Sequence, residues 1–176
     1  QVRVGGDRNF GYLIGDRQAA VAVLVDPSYS PERLVERARV QGLRVAYVIN
    51  THGHLDHANG NAQTAALTGA AIAAFRDAPI QHAVRLNDGD RMDVGAYALR
   101  FYHVPGHSPD HLAIVIEGQG AALTGDHLFV GKVGGTSSDA SARQEWESLR
   151  RLLAEWPDDM TLWLSLIHIS EPTRPY

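Results

Sequence analysis

The sequence predicts an α/β protein with a mixed sheet, or sheets, flanked by helices. Short apolar runs alternate with helical patterns along the 176 residues. Two of these runs, residues 19–27 and 44–50, are almost wholly apolar, as is usual for strands that are covered on both faces. A later region, residues 97–102, alternates its side chains like a hairpin strand. Strand–helix–strand units combined with hairpins are typical of the α/β class.

The first half of the chain contains a strand–helix–strand unit. Strands are expected at residues 11–15, 19–27 and 44–50. Between the last two, Ser30 is the expected helix cap, Pro31 occupies the first helical position and Gly42 closes the helix. A second helix is expected to end at Gly69, before a strand at residues 70–75.

The second half is expected to contain hairpins and one long helix. Asp88-Gly89 is a hairpin signal ahead of the alternating strand, and two further strands are expected at residues 111–117 and 121–126. Residues 141–156 form an expected amphipathic helix. Its apolar face is predicted to consist of Trp146, Leu149, Leu153 and Trp156.

Composition excludes several classes of protein. The chain has no cysteine, so disulfides, thiolate nucleophiles and cysteine-ligated zinc are excluded. Any metal ion must therefore be held by histidine, aspartate or glutamate. A net charge of -4 gives no electrostatic footprint for nucleic acid, and no apolar run approaches the roughly 18–20 residues of a membrane span. We expect a cytoplasmic protein that acts on a small molecule, with neither nucleic acid nor a membrane as its partner.

The segment NTHGHLDHANG, residues 50–60, concentrates residues that can bind metal ions: His52, His54, Asp56 and His57. His52 and His54 follow an apolar strand, two residues apart, so an extended backbone sends both imidazoles to the same side, where they can share one ion. Asp56 and His57 come where the chain turns toward a helix, so this pair is better placed to serve a second ion. The alternative is a solvated histidine-rich loop, or histidines of the core.

Two further motifs add candidate ligands at the ends of strands. HVPGHSPDH, residues 103–111, presents His107 at the tip of a Pro105-Gly106 turn. In LTGDHLF, Asp126 follows another strand and offers a carboxylate that is able to bridge two cations. Loops at strand ends are where such sites are usually built. The three segments together predict a metal site.

The chain resembles the metallo-β-lactamase superfamily in three motifs that follow one another along the sequence, THGHLDH, PGHS and TGDHLF. The resemblance covers nearly the whole chain, from FGYLIGD to MTLW. It implies a four-layer αβ/βα sandwich with the site at one edge of two facing sheets. It also implies a set of ligands: His52, His54 and His107 for the first metal ion, Asp56 and His57 for the second, and Asp126 as the bridge between them.

Other residues near these motifs match no ligand position of the family. His103 stands where the family often has a histidine that does not bind the metal, and His111 and His127 are candidates for supporting or substrate-contacting roles. His82 is expected to be a surface or core residue. Asp26, in LVDP, matches a family position that supports the metal loop rather than binding the ion.

Within the superfamily, GDRNFGYLIGD, LVDP, LFVGKVGGT and PGHS look most like glyoxalase II (hydroxyacylglutathione hydrolase) and the related persulfide dioxygenases. His57 and Asp126 separate the chain from class B1 β-lactamases, so antibiotic hydrolysis is not expected. Glyoxalase II relatives often carry a basic residue, which contacts glutathione, nine positions after the bridging aspartate. That position is Gly135 here. Either Lys132 replaces the missing charge or it is a solvated lysine, and the use of glutathione stays open.

Two reactions are compatible with these motifs. In the hydrolase, two zinc ions roughly 3.5–4 Å apart activate water, and the metal-bound hydroxide attacks a thioester or ester carbonyl while Asp56 orients it and takes its proton. In the persulfide dioxygenase, a single Fe(II) uses His52, His107 and Asp126, which leaves positions for dioxygen and a sulfur substrate. A lactonase or another ester hydrolase also stays open.

The C-terminal residues, Leu164 to Tyr176, resemble the translation of a sequencing-library adapter rather than natural protein. We therefore expect one metallo-β-lactamase-like domain at residues 1–163, truncated at its C-terminus, and a non-native tail at residues 164–176. By the resemblance, the last histidine of the second metal site would fall at Leu166. His168 lies two residues too late.

A third hypothesis, from a different class, is a non-catalytic metal-binding fragment. The first metal site keeps all its histidines, whereas the second keeps only Asp56, His57 and the shared Asp126. We therefore expect one metal ion to bind tightly and a second to bind weakly. The chain begins at Gln1, next to an apolar-alternating stretch, so a start inside a longer protein is left open.

Overall fold

The computed structural model describes residues 1–6 and 9–165 and contains two facing β-sheets. The first sheet has six strands: β1 (Val2–Gly5), β2 (Asn9–Asp16), β3 (Val21–Val25), β4 (Arg44–Ile49), β5 (Ala71–Phe75) and β6 (Val84–Leu86). They are hydrogen-bonded in that order. β1 to β3 are antiparallel and β3 to β6 are parallel, so the predicted strand–helix–strand unit is confirmed.

The second sheet has five strands: β7 (Arg91–Val94), β8 (Tyr97–His103), β9 (Leu112–Ile116), β10 (Ala121–Gly125) and β13 (Thr161–Leu164). The first four form an antiparallel meander, and β13 pairs in parallel with β10 at the edge. A separate two-stranded ribbon follows β10 and consists of β11 (Leu128–Phe129) and β12 (Lys132–Val133).

Helices α1 (Pro31–Val40), α3 (Asn61–Thr68) and α4 (Asp139–Glu155) occupy the outer faces of the sheets, whereas the short α2 (Leu55–Ala58) lies within the histidine-rich segment. Helix α1 contacts the first sheet and α3, and its Leu34 and Ala38 are buried with Leu24 of β3. On the far side, Leu152 of α4 is buried against Ala113 of the second sheet. None of the helices in the described part of the chain is long and apolar enough to cross a membrane.

The main core lies between the two sheets. Val23 and Val25 of β3 are buried there with Phe101 and Ile114 of the second sheet, whereas Leu24 is buried under α1. Consecutive residues of β3 thus enter different apolar layers, which is why the strand is apolar throughout. Full burial of a side chain of this size contributes about 1.5–3 kcal/mol. The layers are helix, sheet, sheet and helix, which is the four-layer αβ/βα sandwich that the resemblance implies.

Asp88-Gly89 forms a turn, but the predicted hairpin at this position is wrong. Gly89 has a φ of +78°, yet the strands on either side, β6 and β7, lie in different sheets. The hairpin closes instead at Gly95, which has a φ of +61° and joins β7 to β8. The same local sequence can form a turn between strands of different sheets or a turn between the two strands of a hairpin, so it does not distinguish them.

The predicted apolar face of α4 is confirmed at Leu149 and Trp156, which are half-buried, and is wrong at its other two residues. Trp146 is 56% exposed and Leu153 is 69% exposed, whereas Glu145, Ser148 and Leu152 are buried. The polar residues of this face bond to the loop after β8, where the hydroxyl of Ser148 donates to a backbone carbonyl at 2.8 Å. Apolar spacing identified the helix but not this face, because the helix contacts a polar loop as well as the core.

Three strands end at the same edge of the sandwich. β4 of the first sheet is followed by the histidine-rich segment, and β8 and β10 of the second sheet are followed by the loops of His107 and Asp126. The backbone N–H of Leu112 donates to the carbonyl of Thr51 at 2.7 Å, which joins the loops of the two sheets. The fold therefore brings together segments that are far apart in the sequence.

The last described residues pack against the rest of the αβ/βα sandwich. β13 reaches Leu164, one residue past the predicted domain limit, and the Tyr12 hydroxyl donates to the Leu164 carbonyl. Residues 166–176, with Leu166 and His168, lie outside the described residues. The non-native tail and the missing ligand therefore stay predictions.

Candidate metal centre

Three imidazole nitrogens converge at this edge. The Nε2 atom of His52 lies 2.9 Å from Nδ1 of His54, and this Nδ1 lies 3.1 Å from Nε2 of His107. His52 is buried, His107 is half-buried and His54 is exposed, so the group reaches from the interior to the surface. The structure thus brings together the three histidines that the sequence analysis assigned to one ion.

A second group of donors lies beside the first. The Nε2 atom of His57 lies 3.2 Å from Oδ1 of Asp126 and 3.7 Å from Oδ2 of Asp56. His52 also belongs to this group, because its ligand atom lies within 4.8 Å of those of His57 and Asp126. The Oδ2 atom of Asp126 lies 3.7 Å from Nε2 of His107. Asp126 therefore stands between the two groups.

Asp26 holds the histidine-rich loop from behind. Its carboxylate accepts hydrogen bonds from the N–H and the hydroxyl of Thr51, at 2.8 and 2.7 Å, and its Oδ2 lies 3.1 Å from Nδ1 of His57. This contact places a proton on Nδ1 and turns Nε2 toward Asp126. Asp26 belongs to neither convergent group of the described residues, so it contacts the loop in the supporting manner that was predicted.

Neighbouring groups set the charge of each imidazole. Burial lowers the pKa of His57, but the carboxylates of Asp126 and Asp26 outweigh burial and raise it to about 10. Burial, and then the nearby histidines, hold the pKa of His52 well below its usual range. Burial also lowers the pKa of His54. His52 and His54 are therefore neutral and offer lone pairs, whereas the environment of His57 favours a positive charge.

Both groups fit a divalent cation. A tetrahedral zinc ion with Zn–N distances of about 2.0–2.1 Å separates its ligand atoms by about 3.3 Å, close to the 2.9 and 3.1 Å between the imidazole nitrogens. In the described part of the chain, Nε2 of His57 and Oδ1 of Asp126 are buried without a completed hydrogen bond. Such atoms usually have a partner, and a cation between them would use both. Imidazole and carboxylate donors suit zinc and iron alike.

Three residues that the sequence analysis missed hold the loops of the centre. Asp110 accepts a hydrogen bond from the Gly53 N–H at 2.7 Å, the amide of Asn9 donates to the backbone carbonyl of Asp56 at 3.0 Å, and Glu145 accepts from the N–H of His107 at 2.8 Å. Asp110 lies inside the HVPGHSPDH motif and could have been noticed there. The other two lie 47 and 38 positions from their partners, and no local pattern marks them.

Two of the remaining histidines support the centre without joining the convergent groups. The Nε2 atom of His111 accepts a hydrogen bond from the N–H of Asp126 at 3.0 Å, and burial, with His127 nearby, lowers the pKa of His111 well below its usual range. The Nδ1 atom of His127 lies 2.8 Å from Oε1 of Glu145. Both histidines are fully buried. They pack beneath the loop that carries Asp126.

The last two histidines of the described residues lie outside the convergent groups. His103 stacks on Phe75 with ring centroids 4.0 Å apart, and the half-buried His82 has its Nδ1 2.7 Å from a backbone carbonyl. These contacts agree with a non-ligand place for His103 and with a structural place for His82.

Gly135 lies beside the centre and contributes a carbonyl rather than a charge. Its carbonyl oxygen accepts a hydrogen bond from Nδ1 of His107 at 2.8 Å, which leaves Nε2 of His107 for the convergent group. A Cβ atom at Gly135 would meet nothing within 4 Å. Lys132 is exposed, and its Nζ lies 5.5 Å from the centre of the Phe129 ring.

Comparison with known proteins identifies relatives over most of the chain. The family model described as the metallo-beta-lactamase superfamily matches residues 4–83 and 69–160. A hydroxyacylglutathione hydrolase of Methylococcus capsulatus is 35% identical over 150 residues, which cover 83% of this chain and 57% of that protein. The mitochondrial persulfide dioxygenase ETHE1 of Homo sapiens is 31% identical over 157 residues, which cover 88% of this chain and 62% of that protein.

A solved structure gives the same result for the fold. The crystal structure of ETHE1 from Myxococcus xanthus matches with a TM-score of 0.85 and 26% identity, over 93% of this chain and 73% of that one. These matches confirm the resemblance that the sequence motifs indicated, including both of its branches. The chain spans only 57% and 62% of the length of the two curated relatives.

Proposed function

This chain belongs to the metallo-β-lactamase superfamily, and from that membership we propose that it is a metal-dependent hydrolase of thioesters or esters, similar to glyoxalase II. The proposal depends on one observation, the two adjacent donor groups that meet at Asp126. Two neighbouring cations that share a carboxylate are the arrangement that a two-metal hydrolase uses. The similarity to hydroxyacylglutathione hydrolases supports it.

We assign the donors as the sequence resemblance implies. His52, His54 and His107 would hold the first cation, and Asp56 and His57 the second, with Asp126 as the bridge. The convergence of the histidines and Asp126 supports this assignment, and so do the buried donor atoms of His57 and Asp126 that lack a completed hydrogen bond within the described residues. Asp56 belongs to neither convergent group of the described chain, and its assignment depends on the resemblance and on the 3.7 Å between its Oδ2 and Nε2 of His57. Zinc is the proposed metal of the hydrolase.

Asp56 is the proposed catalytic residue. When bound, the cations would supply a water of lowered pKa and polarise the substrate carbonyl. The side chain of Asp56 is 38% exposed, so a substrate can reach it. Its Oδ2 accepts a hydrogen bond from the Asn9 amide at 3.3 Å, which orients the carboxylate. Asp56 would then hold the attacking water and accept its proton.

For the substrate, we propose only the type of bond that is cleaved, a thioester or an ester. Gly135 offers no charge for a glutathione carboxylate, although the open space at this position leaves room for a substrate. Lys132 contacts the Phe129 ring, which favours its interpretation as a solvated lysine. A small thioester or ester without a glutathione unit is therefore our first choice of substrate.

A second function, persulfide dioxygenase, is favoured by the similarity to ETHE1 in sequence and fold. A single iron would then use His52, His107 and Asp126. The distance of 3.7 Å between Nε2 of His107 and Oδ2 of Asp126 is compatible with ligands of one ion. In this alternative, Asp56 is not a ligand of the iron.

Metal analysis and one variant separate the two functions. The hydrolase predicts zinc and cleavage of thioester substrates, whereas the dioxygenase predicts one iron and oxygen consumption with a persulfide. In the hydrolase, Asp56→Asn is expected to lower turnover by about 10²–10⁴-fold, the usual contribution of a general base. Asp77→Asn, whose side chain is 73% exposed outside the centre, is the matched control. Oxygen consumption with full activity in Asp56→Asn would reject the hydrolase.

The hypothesis of a non-catalytic metal-binding fragment has its own test. It predicts that one metal equivalent binds tightly and a second binds weakly, with no turnover of thioester, ester or persulfide. Titration with zinc against a chromophoric chelator measures both affinities, and two tight equivalents would contradict this hypothesis. The domain limit at residue 163 and the cytoplasmic location stay predictions.

A further inference from the structure

We propose that Glu145 is a positioning residue of the metal centre, which fixes His107 from helix α4. The inference depends on the proposed function, because it takes His107 to be a metal ligand. Glu145 belongs to neither convergent donor group of the described chain. It acts through the two loops of the second sheet that carry His107 and Asp126.

The carboxylate of Glu145 joins these two loops directly. Its Oε2 accepts the backbone N–H of His107 at 2.8 Å, and its Oε1 lies 2.8 Å from Nδ1 of His127, the residue after Asp126. Glu145 is only 3% exposed and His127 is fully buried. The hydrogen bond from His107 holds one oxygen of this buried carboxylate, and the close approach of Nδ1 of His127, although it is not a completed hydrogen bond, places the other oxygen against the Asp126 loop.

The backbone of the His107 loop is pressed against the helix at this residue. Gly106 has a φ of +152°, and a Cβ atom there would lie 2.4 Å from the Cα of Glu145. Only glycine allows this approach. The hydroxyl of Ser148, one helical turn further on, donates to the Pro105 carbonyl at 2.8 Å. The N–H of His107 therefore meets the carboxylate without an intervening side chain.

The imidazole of His107 is held at a second point that also leads to Glu145. Its Nδ1 donates to the carbonyl of Gly135, and the neighbouring Gly134 N–H donates to the His127 carbonyl at 3.3 Å. Glu145 thus contacts the His107 backbone and, through His127, the segment that orients the ring. With both points fixed, Nε2 of His107 is directed at His52 and His54.

A length-matched pair of variants tests this role. Glu145→Gln keeps an oxygen acceptor for the His107 N–H, and His127 can change tautomer to face the amide. Glu145→Met keeps the length of the side chain but removes the acceptor. We expect Glu145→Met to lower the affinity for the first equivalent of Co²⁺ by about 10- to 100-fold, the usual effect of losing a supporting partner of a metal ligand. Glu145→Gln should stay closer to the wild type.

Two controls lie on the same helix. Ser148→Ala removes another bond between α4 and the same loop, and Glu147→Gln removes an exposed carboxylate. Both should keep the wild-type Co²⁺ affinity and absorption spectrum. An unchanged affinity and spectrum in Glu145→Met would overturn the proposal, and so would an equal loss in Ser148→Ala, because the effect would then be general helix docking.

A second measurement applies even where Glu145→Met does not fold. The amide proton of His107 bonds to a charged acceptor, and charged acceptors make stronger hydrogen bonds. Its NMR resonance is expected to move in Glu145→Gln and to stay in place in Glu147→Gln, and an unmoved resonance in Glu145→Gln would overturn the contact. A wild type that binds no Co²⁺ would refute the proposed function, whereas normal wild-type binding beside an unaffected Glu145→Met refutes the role of Glu145 alone.

Discussion

Asp26 shows how a single residue can shape the metal centre without binding the ion. It has a φ of +49°, which is uncommon for a residue other than glycine, although aspartate tolerates it better than most. The strain is offset by the contacts of its buried carboxylate with Thr51 and His57. Asp26 thus connects the end of β3 to the loop that follows β4.

Asp26→Asn is expected to destabilise the protein. The amide must turn its NH₂ group either toward the N–H of Thr51 or toward the Thr51 hydroxyl and the Nδ1–H of His57, so at least one buried donor loses its acceptor. Such a loss lowers the free energy of unfolding by about 1–3 kcal/mol. Urea unfolding in the absence of metal measures it, with Asp77→Asn as an exposed control that should stay within about 0.5 kcal/mol of the wild type. A wild-type midpoint for Asp26→Asn would contradict the supporting role.

At the residue scale, the sequence predicts the side chains that can bind a metal ion better than it predicts the residues that hold those side chains in place. His52 and His54 could be paired from their spacing, because two residues in an extended segment share a side. Asp26 was found through the family motif. Glu145 and Asn9 could not be found, because each meets its partner only after the sheets have packed. Their own segments contain no unusual spacing of polar residues.

At the scale of elements, Asp16 links the two sheets away from the metal centre. It ends β2, and its carboxylate accepts hydrogen bonds from the N–H groups of Gln18 and Ala19 in the next turn. It also accepts the N–H of Ala96, in the hairpin between β7 and β8, at 2.8 Å. The adjacent Gly95 has a φ of +61°, and a Cβ atom there would lie 2.4 Å from Oδ2 of Asp16. The two turns therefore interlock through one carboxylate.

These hydrogen bonds predict a pH dependence of stability. The N–H donors of Ala96, Ala19 and Gln18 lower the pKa of Asp16 in the folded protein. The stabilisation is therefore present above the pKa of the unfolded chain and is lost as the pH falls through the lowered folded value. We expect Asp16→Asn to lower the free energy of unfolding near neutral pH, and the difference from the wild type to shrink as the pH falls below about 4.

Urea unfolding over this pH range measures the difference, and Asp77→Asn again serves as the exposed control. A difference that persists unchanged at acid pH would show that the asparagine disturbs packing rather than removing a charge effect. A difference that grows as the pH falls would contradict the direction of the pKa shift.

The positions of the helices and strands were easier to predict than the face that each of them buries. β3 and β4 followed from their apolar runs, and α1 from Pro31 and Gly42, because these signals are local.

The buried face of α4 did not follow from the sequence, because Trp146 and Leu153 have helical spacing but lie on its exposed side. The buried Glu145 and Ser148 bond to a loop whose position depends on the second sheet. The turn at Asp88-Gly89 raised the same difficulty, since its sequence does not indicate which sheet comes next.

For the whole molecule, the metal centre is a junction between the two sheets. His52, His54 and His57 follow a strand of the first sheet, whereas His107 and Asp126 follow strands of the second. A cation held by both sets would connect the sheets where the apolar core ends. Because the unfolded chain has no such arrangement of ligands, binding of the cation should stabilise the folded state.

We therefore expect zinc to raise the thermal unfolding midpoint and a chelator to reverse the rise. At a free zinc concentration of about 100 times the dissociation constant, the gain is about 2.7 kcal/mol, or roughly 5–10 °C for a chain of this size. Magnesium should have little effect, because it prefers oxygen ligands in octahedral geometry. Differential scanning calorimetry with zinc, magnesium or chelator measures the three midpoints.

The dependence on both sheets is tested with two histidine variants. His107→Ala removes the imidazole that the second sheet contributes, so it should lose most of the zinc-induced rise even though His52 and His54 remain. His82→Ala, outside the convergent groups, should keep the full rise. If zinc stabilised His107→Ala as much as the wild type, the proposed ligand set would be wrong at His107. Asp126 would then be the only proposed ligand through which the second sheet contacts the cation.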